Sequence, residues 1–399
     1  MPLTTRIFFI GLLLLPFSVG SVESETNILS LGIPLLAWPS FVGFTRAIFS
    51  AQGKWRIPAW FWAFFIYAVM TVITCLFSPN IGASLYRALV NLELVGAIIY
   101  IHQESERGAD DLLYHRLMFV MGLSGTLLAL EYALHFFYKV ATNGFGEVIS
   151  DRVVGGLAAL NWGASNTVAA CLLITCLTTL GMMLHEHFAS ERKWLLRSMF
   201  AAQLFAIALT VSRTVIIVFL MVALIMYAKK TSIKKTLFII AGVAVVLTVV
   251  FSFYAIDNEG VQEVIRNRFE TDSVTSMSGR TDIWLTYLSE LWDNYGLPAG
   301  YYSALYRNDF SGHNNYLTLM YEMGLGGLLF SLLVVFSIVH TFRSENNFHL
   351  GALLGVAVNL MGEDLVYLQV YSVYFWILLS LCYLHSYRAA ARPTRLMQA

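Results

Sequence analysis

Apolar stretches of about twenty residues recur along nearly the whole chain, and that pattern leaves few folds open. The hydrocarbon core of a bilayer is about 30 Å thick, so a spanning helix takes ~20 apolar residues. Candidate spans lie near 7–20, 27–44, 59–78, 83–102, 115–138, 164–184, 196–212, 214–228, 236–255, 314–340, 350–366 and 370–387. Of the 399 residues, 58% are hydrophobic and 13% charged. Soluble domains run at about 45–50% and about 25%. In lipid every backbone N–H and C=O must be paired within its own segment, which favours helices. The expected fold is an all-α polytopic membrane protein of about twelve transmembrane helices, one integral membrane domain over residues 1–399. The first span is short and follows Arg6, as a signal peptide would. An uncleaved helix is preferred, because the charge pattern then holds for every later loop.

Lys and Arg in short loops set orientation. With both termini cytoplasmic, the cytoplasmic face receives Arg46, Lys54, Arg56, Arg192, Lys193, Lys229, Lys230, Lys234, Lys235, Arg343, Arg388, Arg392 and Arg395. The outer face receives far fewer: Lys139, Arg152, Arg213, Arg266, Arg268, Arg280 and Arg307, with Arg87 close to it. These outer arginines run against the rule and call for another explanation.

Two outer segments are long, about 139–163 and about 256–313. In the second, Val261 to Phe269 has helical apolar spacing and reads as an amphipathic surface helix carrying Arg266 and Arg268. Ser278-Gly279 breaks it. Thr281 to Trp292 reads as a second helix, with Ile283, Trp284, Tyr287, Leu288 and Leu291 on one face. Asn294 to Gly300 is turn chemistry, and His313 enters the next span.

Several function classes drop out. Net charge is zero, so charge gives no argument for nucleic acid. Cys75, Cys171, Cys176 and Cys382 all lie in apolar stretches and read as small buried hydrophobes. There is no metal-ligand spacing and no nucleotide-binding glycine loop. The expectation is an activity without metal or cofactor.

The candidate residues lie at the outer face. Arg213 sits between two apolar runs; it reads either as a turn arginine reaching headgroups or as a two-pronged phosphate ligand. Arg280 opens a helix, whose N-terminus favours anions; a salt bridge to Asp282 or Glu270 is the plainer reading. An unperturbed imidazole changes charge near neutral pH, which makes His313 a candidate for proton transfer, although a histidine at a helix start often serves as a cap. Glu322 needs a partner, which His or Arg would supply. Arg87 and Asn91 share a helical face and read as cavity lining or interhelical glue; Glu363-Asp364 reads as a partner for an arginine or an orienter of His313.

Together, Ser212-Arg213, Gly279-Arg280 with Trp284, Pro298 with Gly300, and His313-Asn314 resemble the O-antigen ligase and O-antigen polymerase superfamily of membrane glycosyltransferases. His313, ten residues and Gly324 match the ligases' His-x(10)-Gly spacing; Leu297-Pro298-Ala299-Gly300 departs from the usual Gly-x-Gly. The resemblance covers roughly 200–340. It implies a twelve-span, GT-C-like fold in the bacterial inner membrane, with its site at the periplasmic face. The donor it implies is an undecaprenyl-diphosphate-linked glycan and the acceptor a sugar of lipid A–core, with inversion at the anomeric carbon. By that resemblance Arg213 and Arg280 bind the diphosphate and His313 is the general base. Arg87, Asn314, Glu322, Arg266, Arg268 and Asp364 are possible supporting residues. A polymerase, taking a second lipid-linked glycan as acceptor, is the nearest alternative. A twelve-helix transporter is more distant, because its charges belong near the bilayer midplane.

Overall fold

The computed structural model describes residues 1–19, 29–49, 59–107, 112–145, 147–148, 160, 164–184, 193–210, 212–228, 280–308, 312–343 and 347–396. Among them the chain is all-helical, apart from a two-residue antiparallel pairing of Ser18–Val19 with Leu29–Ser30. The helices are α1 (Leu3–Leu14), α2 (Ile33–Phe49), α3 (Ala59–Thr74), α4 (Ile81–Arg107), α5 (Leu112–Asn143), α6 (Ser165–Leu184) and α7 (Lys193–Thr210). They continue as α8 (Arg213–Ala228), α9 (Arg280–Asp293), α10 (Ala304–Asn308), α11 (Asn315–Met323), α12 (Leu325–Arg343), α13 (Asn347–Leu360) and α14 (Gln369–Leu396).

Among the described residues, five segments are long and apolar enough to cross a membrane: Trp60–Phe77, Ile81–Arg107, Leu113–Asn143, Ser165–Leu184 and Leu325–Arg343. Burial sorts them. In α6, 89% of the apolar window is buried within the protein, against 39% in α12, so α6 is central and α12 peripheral. Helix α14 shares the centre, with Tyr371, Tyr374, Phe375 and Trp376 buried. Trp376 stacks on Phe64 of α3 at 3.7 Å. Peripheral helices turn large apolar side chains outward, among them Leu328, Leu332, Val335 and Phe336 of α12. Such an outer surface suits lipid, where burial among other side chains is not required. Helices α2 and α4 approach closely where Gly43 meets the backbone of Gly96, as small residues permit in membrane helices.

The expected spans need four corrections. The first helix ends at Leu14, not at 20, and Val19 pairs with Leu29 instead. The second begins at Ile33 rather than 27. The expected 314–340 span is two helices broken at Gly324, which has φ 55° and ψ −119°, a conformation closed to side chains with a Cβ. Only the second of these, from Leu325, is a candidate span, so α11 lies outside it. The expected 350–366 span ends at Leu360. The expected 236–255 span, the 261–269 amphipathic helix, Arg266 and Arg268 lie outside the described residues.

Candidate active site

The site is built where α9, α11 and the corner between α13 and α14 meet. Helix α9 spans Arg280–Asp293, against 281–292 expected. Its Ile283, Trp284 and Tyr287 face inward; Tyr287 packs on Tyr321 of α11 with ring centroids 4.9 Å apart. Two residues separate α7 from α8, and Arg213 is the first residue of α8.

Three consecutive residues then fix the entry to α11. Asn314 is its N-cap, with its side chain accepting from the N–H groups of Tyr316 (3.1 Å) and Leu317 (3.2 Å). Asn315 reaches the other way and accepts from the backbone N–H groups of Leu365 (2.5 Å) and Val366 (3.1 Å). His313 adopts φ 48°, a left-handed conformation uncommon for side chains other than glycine. Its N–H donates to Asp364 at 2.8 Å, and the carbonyl of Gly312 before it accepts from Trp284 Nε1 at 3.0 Å. Asp364 also accepts from the Asn314 N–H (3.1 Å) and the Thr318 hydroxyl (2.9 Å). Thus Asp364 holds the backbone that presents the imidazole.

Glu363, next to it, gathers the charged side chains. One carboxylate oxygen lies 2.9 Å from Arg280 Nη2 and accepts from Asn166 Nδ2 at 3.1 Å; the other lies 3.3 Å from His313 Nδ1. Glu363 is largely covered, and the His313 side chain is 39% exposed. Glu363 thus carries a guanidinium on one oxygen and an imidazole on the other. The start of α8 lies beside this group through Thr214: a Cβ on Gly362 would stand 3.4 Å from Arg280 Nη1 and 3.5 Å from the methyl group of Thr214. The stretches around 213, 280, 313 and 363 therefore converge at one end of the bundle.

Two expectations are corrected. Among the described residues Glu322 does not pair with His or Arg. It is buried, accepts from the N–H groups of Tyr302 and Ala304 at 2.9 Å each, and takes the Tyr367 hydroxyl at 2.5 Å. Burial pushes its pKa up to about 7. It anchors the Gly300–Ala304 loop. Arg87 likewise joins a separate cluster: its guanidinium lies 3.6 Å over the Tyr302 ring and donates to the Tyr302 hydroxyl at 2.9 Å. Asn91, one turn along, donates to the Tyr301 hydroxyl at 3.0 Å, tying α4 to the loop before α10.

The loose turn at 297–300 also gains a role. The N–H groups of Ala299 and Gly300 donate to the carbonyls of Tyr321 and Glu322 in the last turn of α11. Gly300 (φ 110°) admits no side chain, since a Cβ would strike the backbone of Ser78. Glu363 is the residue that sequence reasoning weighed least; its only signal was an acidic pair beside a glycine at the end of an apolar run.

Residues 198–332 match the family described as O-Antigen ligase, a segment covering less than half of the chain. The match supports the O-antigen ligase superfamily and an activity of the ligase or polymerase type. No curated protein matches the chain.

Proposed function

We propose that this chain transfers a glycan from undecaprenyl diphosphate to a sugar hydroxyl of lipid A–core, at the periplasmic face of the inner membrane. The observation that carries the reading is the meeting of Arg280 and His313 on Glu363 beside the Arg213 turn, partly within the segment that matches the family.

In this reading His313 is the general base. Its Nδ1 faces Glu363, so Nε2 takes the proton of the acceptor hydroxyl, and Glu363 steadies the imidazolium that forms. The acceptor oxygen bonds to the anomeric carbon as the bond from that carbon to the diphosphate oxygen breaks, with inversion. Arg280 and Arg213 hold the departing diphosphate. A guanidinium has five N–H donors, so Arg280 can keep Glu363 while turning others to phosphate. Charge placed in advance at the leaving group is commonly the largest catalytic contribution. The arginines take the part a metal plays elsewhere. The charge bias of the loops supports termini in the cytoplasm and the site outside.

Deleting the gene and resolving the lipopolysaccharide on a gel tests this. The expected pattern is core without O-chain, with polymer accumulating on the lipid carrier. A core bearing a single repeat would instead assign the polymerase reaction.

A further inference from the structure

Helix α9 has three faces, not two. At about 100° per residue, Ile283, Trp284, Tyr287 and Leu291 fall on the side packed toward α11. Asp282, Thr286, Ser289 and Asp293 fall on a polar side. Between them, Leu285, Leu288 and Trp292 form a third stripe, and all three are exposed, Trp292 by 84%. Tyr295 (93%) and Leu297 extend this apolar strip past the helix end. A water-facing surface helix has no use for it.

The strip continues into the face of a candidate span. The Gly296 carbonyl meets Gly324, where a Cβ would lie 2.6 Å away. Leu325 follows at once, exposed at the head of α12, above Leu328 and Leu332 on the outer side of that helix. The exposed apolar surface thus passes from α12 around the Gly324 corner onto α9. Trp and Tyr at such a corner match the aromatic belt at a membrane interface.

We propose that α9 lies in the bilayer interface, with the Leu285–Leu288–Trp292 stripe at the boundary of headgroups and acyl chains and the Asp282–Ser289–Asp293 stripe in water. Arg280 is the first residue of α9, so this seating sets the depth of its guanidinium at the level of lipid phosphates. The inference rests on the membrane reading but not on the reaction proposed above.

The test is nitroxide accessibility in the full chain, reconstituted in phosphatidylethanolamine–phosphatidylglycerol vesicles. Single labels are placed at 285, 288, 292, 282, 289 and 293. All six positions are exposed, and the native cysteines Cys75, Cys171, Cys176 and Cys382 are buried. Oxygen collisions should exceed those with a nickel chelate at 285, 288 and 292, with the ratio inverted at 282, 289 and 293. Chelate access at all six positions would put the helix in water and overturn the proposal. Low access to both reagents at 285, 288 and 292 would show a protein covering the stripe, and would overturn it equally. The readout needs no turnover, so an inactive protein still decides it.

Discussion

Glu363 binds a guanidinium through one oxygen and an imidazole through the other, so its replacement disturbs both. Glu363→Gln should lower kcat and raise KM for the lipid-linked donor together. His313→Ala should lower transfer by about 10²-fold or more, the usual worth of a general base, with the protein still inserting; undiminished transfer would remove that role. Arg280→Lys keeps the charge but loses the planar fork. Its expected deficit in donor KM, measured against wild type, separates shape from charge. Glu322 gives a pH prediction of known sign. Its folded pKa is raised from 4.5 to about 7 by burial, so the protonated form suits the fold. That contribution is present below about 4.5 and is lost as pH rises through about 7. Thermal unfolding in detergent should therefore show wild type losing stability over this window and Glu322→Gln losing less. At this scale the sequence singled out His313, Arg280 and Asp364 as candidates, because titratable groups stand out in apolar surroundings, whereas Glu363 was passed over as a site residue. The partners of Glu322 were hidden: two are backbone N–H groups, and the third is a tyrosine 45 residues away.

At the scale of elements, the bounds of α9 were legible because Ser278-Gly279 and Asn294–Gly296 punctuate an amphipathic run. The break at Gly324 was not. Hydropathy counts apolar side chains and is blind to a backbone reversal within them. The same blindness carried the expected eleventh span past Leu360, through the apolar residues that follow Asp364. Gly324→Ala would force a Cβ into φ 55°, ψ −119° and to 2.6 Å from the Gly296 carbonyl. Backbone strain of this kind costs about 1–3 kcal/mol, and the contact adds to it. The expected result is a lowered midpoint of thermal unfolding, and reduced transfer if the α11–α12 corner shifts His313.

For the molecule as a whole, the helical class could be read from composition and hydropathy, whereas the packing order could not: nothing in the hydropathy of α6 marks it as central. Purified protein should transfer glycan equally well with and without a chelator; dependence on an added divalent ion would overturn the arginine-based account of leaving-group stabilisation.

The clasp between residues 313–315 and 363–366 has a consequence for how the chain is divided. Asp364 and Asn315 tie the family-matching stretch to a corner beyond it, and Tyr301 donates to Thr74, far upstream. Excised, residues 198–332 would forfeit both grips, and the imidazole-bearing turn would lose what keeps it in its left-handed bend. The recognisable third is thus a tenant of the whole bundle. Expressed by itself it should be cleared by proteases, while supplying the missing flanks on separate chains should rescue it.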